Sequence, residues 1–407
     1  MQDVLIIGGG AAGMAAAVAA GLCGDRVTVL ERMDRVGKKL LATGNGRCNL
    51  MNTGALRYPS GASLAEAVLS RCGAAEQAAF WRFLGLSLRE EDGGRVYPAS
   101  GQASTVLDTL RLAMASAGVE IVTGAAVTDV RHSGEGYTVT TDSRSWQARR
   151  VIVAGGGCAQ SKLGSDGSAW GLLTSLGHRL VEPRPSLTQI ITDTAPIRGL
   201  SGIRVRCRVA VLDGDRVLHE EAGELLFADY GVSGVCVMQC ARYAAPGTVI
   251  SIDLLGGMGQ GSVKDAASEL VRRRAMYAPL PLEQLLTGLC VPRLSSCLCQ
   301  AAGLRWKDRL IGSLTDREID RLARVMGDFR LTVRGVKGFD SAQVTAGGVD
   351  IRDIAPENLE SHLLPGLHVC GETLDVDGDC GGFNLMFAFG SGILAGLNGR
   401  KAPWWTL

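Results

Sequence analysis

The sequence predicts an α/β fold. A parallel-sheet domain, assembled from both ends of the chain, is interrupted by an inserted β subdomain that itself carries a helical subdomain. Three observations predict this. The chain opens on "VLIIGGGAAGMAAAVAAG", an apolar run, a glycine cluster and a run of small residues, which reads as strand, turn and helix. Its middle, "IRVRCRVAVLDGDRVLHEEAGELLF", alternates apolar and polar residues with a turn at Asp213-Gly214, the pattern of antiparallel strands. Near the C-terminus "GLHVCGE" is a further short strand, followed by a glycine-started apolar helix. With 407 residues the chain exceeds one ordinary core. The expected divisions are 1–187 with 341–407, 188–260 with 329–340, and 261–328.

Composition excludes several classes. There are 42 basic and 41 acidic residues, so no broad attraction to nucleic acid or anionic lipid is expected. The 12 cysteines are scattered and contain no C-x-x-C, which argues against zinc and against a disulfide framework. Free thiols in this number suit a reducing, cytoplasmic compartment. The uncharged stretch from Val4 to Gly24 lacks the basic start of a secretory signal and is broken by glycines. The run from Phe383 to Leu397 is too short to cross a bilayer of ~30 Å.

The first element carries the first motif. Gly8, Gly10 and Gly13 satisfy G-x-G-x-x-G between strand and helix. Gly8 permits the turn, Gly10 lets a diphosphate approach the backbone, and Gly13 lets the helix pack closely. The helix start offers unpaired N–H groups and a positive dipole end to phosphate. A second strand from Val27 to Leu30 ends in Glu31, 18 residues after Gly13. An acid there accepts hydrogen bonds from a ribose 2′-hydroxyl and repels a 2′-phosphate, which points to NAD or FAD rather than NADP.

The second element separates these two. "GKKLLATGNGRCNLMN" (37–52) is a glycine- and amide-rich loop with Lys38, Lys39 and Arg47 as cations, not the next strand of an alternating dehydrogenase domain. It suits an extended cofactor with a diphosphate and a ring to hold; the plain alternative is a surface loop. "SAGVEIVTGAAVTDV" then gives a helix end and two short strands, and "YTVTTDSRSWQARRVIVAGGG" gives hairpin strands and a last apolar strand. This order resembles the glutathione-reductase-type FAD-binding fold, a Rossmann-like domain whose C-terminal strand and helix carry the flavin end.

The resemblance narrows on six further blocks: "KKLLATGNGRCNLMN", "GGRVYPASGQASTVLDTL", "GSDGSAWGLLTSLGH", "GELLFADYGVSG", "AQVTAGGV" and "GETLDVDGDCGGFNLMFAFGSGILAG". Together they resemble a bacterial family of FAD-dependent oxidoreductases described as bile-acid-type ene-reductases or as aminoacetone oxidases. The resemblance implies a cofactor set. Its first part is Gly8, Gly10, Ala11, Ala12 and Gly13 with Glu31 and Arg32. The 37–52 loop adds Lys39, Thr43, Gly44, Asn45, Gly46, Arg47, Cys48 and Asn49. Val127 and then Ala154, Gly155 and Gly156 follow. The C-terminal block supplies Gly371, Glu372, Asp379, Gly381, Gly382, Phe383 and Asn384.

That C-terminal block also resembles a calcium loop through Asp375, Asp377 and Asp379. The spacing fails: a loop counted from Asp375 needs Gly and Glu where Cys380 and Met386 stand. The aspartates are expected to cap the following helix or to bind ribityl hydroxyls. Cys48 has no partner at Thr43 or Thr53, which excludes a C-x-x-x-x-C disulfide reductase and favours a packed small side chain.

The remaining elements are the insert. "VKDAASELVRRRAM" and "TDREIDRLARVMGDF" are helical by apolar spacing. Such an insert is expected to wall a substrate pocket. The glycines of "LLGGMGQG" and of 155–157 miss the dinucleotide spacing at Ser262 and Gln160, so NAD(P)H as electron donor would have to enter the substrate pocket. In "GELLFADYGVSG" the family often has Thr-His where Ala228-Asp229 stand. Asp229 and Tyr230 are the candidates for proton transfer, against a structural loop role.

With the resemblance, the expectation is an NAD(P)H-dependent FAD enzyme that reduces a conjugated C=C bond in a small apolar, steroid-like substrate. The alternatives are an amine oxidase, a redox-reporting flavoprotein and a flavin enzyme acting on nucleic acid, the last disfavoured by charge. A monomer or small homo-oligomer is expected. Trp404-Trp405 read either as a subunit contact or as a tail folded onto its own domain.

Overall fold

The structure is a computed structural model that describes residues 1–134, 136–305 and 308–406. It divides into two compact units, Met1–Pro185 with Ala342–Leu407, and Ser186–Ser341.

The first unit is built on a seven-stranded sheet. Its strands are β1 (Gln2–Ile7), β2 (Val27–Glu31), β3 (Glu120–Thr123), β4 (Val127–Ser133), β5 (Gly136–Thr141), β6 (Ser145–Val153) and β7 (Leu367–Val369). β3, β2, β1 and β6 lie side by side and parallel. β7 joins parallel along Val151–Val153, and the hairpin β4–β5 joins antiparallel along the first half of β6. Val4, Leu5, Ile6, Val151 and Ile152 are wholly buried, which is why these strands read as unbroken apolar runs.

Helix α1 (Ala11–Leu22) follows β1 and buries nine residues, from Ala12 to Ala20. The helix Phe383–Leu397 packs directly on it. Added to Gly392, a Cβ would stand 2.2 Å from the Ala12 carbonyl oxygen; at Gly396 it would stand 2.4 Å from that of Ala16. Two small-residue faces therefore bring the helix backbones together, closer than larger side chains permit. At the tail, Trp404 is buried with its ring 5.0 Å from that of Phe80, so it packs on its own unit. The side chain of Trp405 lies outside the described residues.

A partly buried polar group includes Arg150 of β6 and His368 of β7. Arg150 and Arg400 both bond Asp25, at 2.7 and 2.5 Å. His368 is fully buried and its Nδ1 lies 3.0 Å from the Asn358 carbonyl oxygen. Burial pushes its imidazole down to about 4 from 6.5, with the Arg150 charge acting the same way. The folded protein keeps the ring neutral where the unfolded chain protonates it, so this contribution is complete above pH 6.5 and is lost as pH falls toward about 4. The stability difference between wild type and His368→Asn should shrink by on the order of 3 kcal/mol across that window. Urea melts at several pH values measure it, and a pH-independent difference would contradict it.

The second unit is a closed antiparallel barrel. Its strands run in the order Ile190–Thr192, Gly231–Ser233, Arg216–Ala228, Arg204–Asp213, Val249–Asp253 and Phe329–Val336. The long hairpin turns after Asp213, which pairs with Arg216. Helices Val263–Met276, Pro292–Ala301 and Asp316–Gly327 are inserted between two neighbouring barrel strands. Thr315 and Glu318 form a reciprocal cap at the start of the last one. Apolar residues of barrel and helices share one hydrophobic cluster. Of the 254–261 glycines, Gly256 and Gly257 lie in a short 3₁₀ turn, where Gly257 packs on the Arg206 carbonyl. No helix of the described residues is long and apolar enough to cross a membrane.

Candidate cofactor site

A cavity of about 290 Å³ lies within the first unit, at the C-terminal ends of its parallel strands. Its wall is drawn from the β1–α1 turn, the end of β2, the helix Lys38–Ala42, the ends of β6 and β7, residues 163–169 and the start of the helix Phe383–Leu397.

The glycines of the first turn do different jobs. Gly8 has φ +104°, and a Cβ there would meet the Ala154 carbonyl oxygen at 2.4 Å. A Cβ on Gly13 would meet the Gly8 carbonyl oxygen at 1.9 Å, so Gly13 lies beneath the cavity as a packing residue. Gly10 lines the cavity and a Cβ there would meet nothing within 4 Å. Its side is open space, at the start of a helix whose first N–H groups have no intrahelical partner. Ala11 and Ala12 complete this part of the wall.

At the end of β2 the Glu31 carboxylate is buried and anchored. Oε2 accepts from Gly9 N–H at 2.8 Å and Oε1 from Met33 N–H at 2.7 Å. Each oxygen keeps a lone pair for a further donor, as a ribose hydroxyl would be. Arg32 lines the cavity beside it. Lys39 and Glu372 meet there as well, with Lys39 Nζ 2.6 Å from Glu372 Oε2. Glu372 Oε1 accepts from Thr345 N–H at 2.8 Å, which fixes the carboxylate. Thr43, Val127, Ala154, Gly155, Gly156, Gly371 and Asn384 also line the cavity. The Asn384 side chain exchanges two 2.8 Å hydrogen bonds with Gly378, holding the loop before the helix.

Other residues of the expected set stand outside the lining. Gly44, Asn45, Gly46, Arg47, Cys48 and Asn49 form a tight loop in which Asn45 and Cys48 both have φ 56°. Arg47 pairs with Glu91 at 2.5 Å and stacks on the Tyr97 ring at 4.1 Å. Cys48 is fully buried, and burial pushes its thiol up to about 12, so it is a packed side chain and not a thiolate. Asn49 Oδ1 is buried without a hydrogen bond, beside Gly382. Gly381, Gly382 and Phe383 start the C-terminal helix without lining the cavity.

The aspartates correct one expectation: none of them caps the helix, whose N-cap is Gly382 at φ +103°. Asp379 pairs with Arg57 at 2.8 Å, Asp375 accepts from Ser60 and from Gly347 N–H, and Asp377 is wholly buried. They brace the loop against neighbouring segments. Among the described residues no cluster of metal-binding side chains occurs. Asp229 and Tyr230 belong to the second unit, at the turn between two barrel strands. Asp229 is exposed there, and Tyr230 lies under Lys337, whose Nζ is 4.3 Å from the ring centroid.

Sequence reasoning assigned no role to Leu163, Gly164, Ser165, Asp166 and Ser168, all of which line the cavity. The "GSDGSAWG" block was visible, but nothing in it says which strand end it meets. Thr345 and Thr373 were missed too. Their hydroxyls accept from Cys158, Ala159 and Gly156 N–H at 2.9 to 3.0 Å, satisfying the glycine-rich backbone after β6.

These residues suit FAD. The open face at Gly10 and the free helix start take a diphosphate, the anchored Glu31 takes a ribose, and Phe387, Leu385 and Val344 give the cavity an apolar part for a ring. A family model described as "HI0933-like protein Rossmann domain" matches residues 2–398. The 3-dehydro-bile acid delta(4,6)-reductase of Clostridium scindens is 37% identical over 414 aligned positions, covering 99% of this chain and 100% of that protein. The ribosomal RNA dihydrouridine synthase of Escherichia coli is 27% identical, covering 96% of this chain and 96% of that one. Its counterpart in Haemophilus influenzae is 26% identical, with 98% of each chain covered. The chain belongs to the HI0933-like Rossmann-domain family and is an FAD-dependent oxidoreductase.

Proposed function

We propose that this oxidoreductase reduces a conjugated C=C bond in a small apolar, steroid-like ketone, with NAD(P)H as electron donor. The observation that carries the reading is whole-length likeness, at 37% identity, to a bile-acid delta(4,6)-reductase. In an unsaturated ketone the carbonyl makes the β-carbon electrophilic, so reduction places a hydride there and a proton on the α-carbon. FAD, when bound, supplies the two-electron hydride chemistry.

The chain's own residues position and tune. The β1–α1 turn and the start of α1 would hold the diphosphate, and Glu31 the ribose. Lys39 and Glu372 place a balanced ion pair on the cavity wall, which avoids an uncompensated charge beside the ring. The N-terminus of the helix Phe383–Leu397 favours negative charge on whatever lies before it. Phe387, Leu385 and Val376 exclude water from the apolar part of the cavity. Asp229 and Tyr230 remain the candidate proton donors, and Tyr230→Phe and Asp229→Asn test them through kcat.

A second reading is favoured by the two relatives at 26% and 27% identity: reduction of a uridine C=C bond in ribosomal RNA. The formal charge of +1 weighs against it, since phosphate contacts dominate RNA affinity.

The deciding experiment is anaerobic titration of the yellow protein with NADH or NADPH, followed by either a 3-oxo-Δ4 steroid or ribosomal RNA. The proposal expects bleaching, then reoxidation by the steroid with a product heavier by two hydrogens. The same mass gain confined to RNA uridines would establish the second reading. A flavin that neither nucleotide bleaches would overturn the proposal and point to an amine oxidase or a redox-reporting flavoprotein.

A further inference from the structure

Two stretches of the cavity wall more than a hundred residues apart in sequence meet side by side. One is the end of β2, where Glu31, Arg32 and Met33 all line the cavity. The other is residues 163–166, which line it as well. Arg32 and Asp166 form an ion pair. Asp166 also accepts from Ser168 N–H at 3.1 Å. Burial works against its charge, but the Arg32 and Ser168 bonds outweigh it and hold the carboxyl below its usual range. The two stretches also pack through a side chain, since a Cβ on Gly164 would stand 3.1 Å from Met33 Cγ.

The segment that carries Asp166 is tied at its two ends, the far one through Gly167 N–H, which donates to the Gly157 carbonyl at 3.0 Å. At its base, three backbone N–H groups are tied to the Thr373 and Thr345 hydroxyls. Further along stand Gln160 at φ 59°, Gly164 at φ +112° and Gly167 at φ +80°, left-handed positions where a few dihedrals swing a loop. Between the two ends the charged tie is Arg32–Asp166. Its side chains are 39% and 33% exposed, so they are not needed to fill the core.

We infer that Arg32 and Asp166 are positioning residues that latch the 163–168 segment onto the end of β2, over the adenosine part of FAD, and thereby set how fast FAD leaves. The assignment of this part of the cavity to adenosine rests on Glu31 taking the ribose. A half-exposed pair is worth no more than ~1 kcal/mol, which is about fivefold in a rate. It is also screened by salt.

The test follows FAD release after dilution of holoprotein into an excess of apo-D-amino-acid oxidase, which traps free FAD, read by the oxidase activity that appears. Asp166→Asn and Arg32→Gln should each release FAD about fivefold faster. Wild-type release should quicken between low and high salt, and the Asp166→Asn rate should not. The exchanged pair, Arg32→Asp with Asp166→Arg, should restore slow release, whereas an Arg32 that acted by binding a phosphate directly would not be replaced that way. Unchanged release in Asp166→Asn, or an exchanged pair as fast as the single variants, overturns the latch. A wild-type protein that holds no FAD would instead overturn the cofactor reading beneath it.

Discussion

Gly10→Val should fold nearly as well as the wild type and bind FAD at least about 100-fold more weakly. Gly10 has φ −82° and ψ −167°, extended backbone that valine adopts readily. Nothing lies within 4 Å of the position its Cβ would take. The folding cost is therefore about 1 kcal/mol, for a poorer N-cap on α1. The new side chain would fill the space that the diphosphate needs at the helix start. The check is the ratio of bound flavin to protein alongside a thermal melt. Gly8→Val is the informative contrast. Its φ of +104° and the Ala154 oxygen 2.4 Å from its Cβ place the cost in the fold itself. If Gly10→Val kept its flavin, the cavity at the β1–α1 turn would not be the diphosphate site.

Gly392→Val should lower stability by roughly 3 kcal/mol, the upper part of the range for overpacking a core. Its Cβ would stand 2.2 Å from the Ala12 carbonyl oxygen and 2.9 Å from the carbonyl carbon. These are backbone atoms in the first turn of α1, so no side chain can swing aside. The two helices must move apart instead, opening contact along Gly396 and Ala16 as well. For a unit of this size the shift is roughly 2–4 °C in Tm per kcal/mol. FAD affinity should fall with it, because Ala12 lines the cofactor cavity. Scanning calorimetry with and without added FAD separates the two effects. A variant with unchanged Tm would mean that the helices are not packed as closely as the structure places them.

The two substitutions mark how far the sequence is legible. Gly8, Gly10 and Gly13 are found by spacing alone, yet spacing cannot rank them. Only the neighbours do: a carbonyl faces Gly8, another faces Gly13, and open cavity faces Gly10. Glu31 is similar. Its place at the end of β2 announces a ribose acid, but its two backbone donors, Gly9 and Met33, appear only once the turn is folded. The three aspartates of "LDVDGD" show the opposite case. Their alternation resembles a ligand set, while the folded loop uses Asp375 and Asp379 to tie down Ser60, Gly347 and Arg57.

By itself, the sequence determined what is local in the chain. The strand–glycine–helix start, the acid that ends β2, the antiparallel middle and the late strand and helix all follow from period, turn residues and small-residue spacing, which neighbours in sequence decide. Tertiary structure alone decided what distant segments do to one another. It closed the middle strands into a barrel and joined Lys39 to Glu372 across 333 residues of chain. It also set Asp166 against Arg32 and left residues 44–49 out of the cavity lining. Such pairings depend on which surfaces are left to bury after the local elements have formed, and that is a property of the packed core, not of any one stretch of chain.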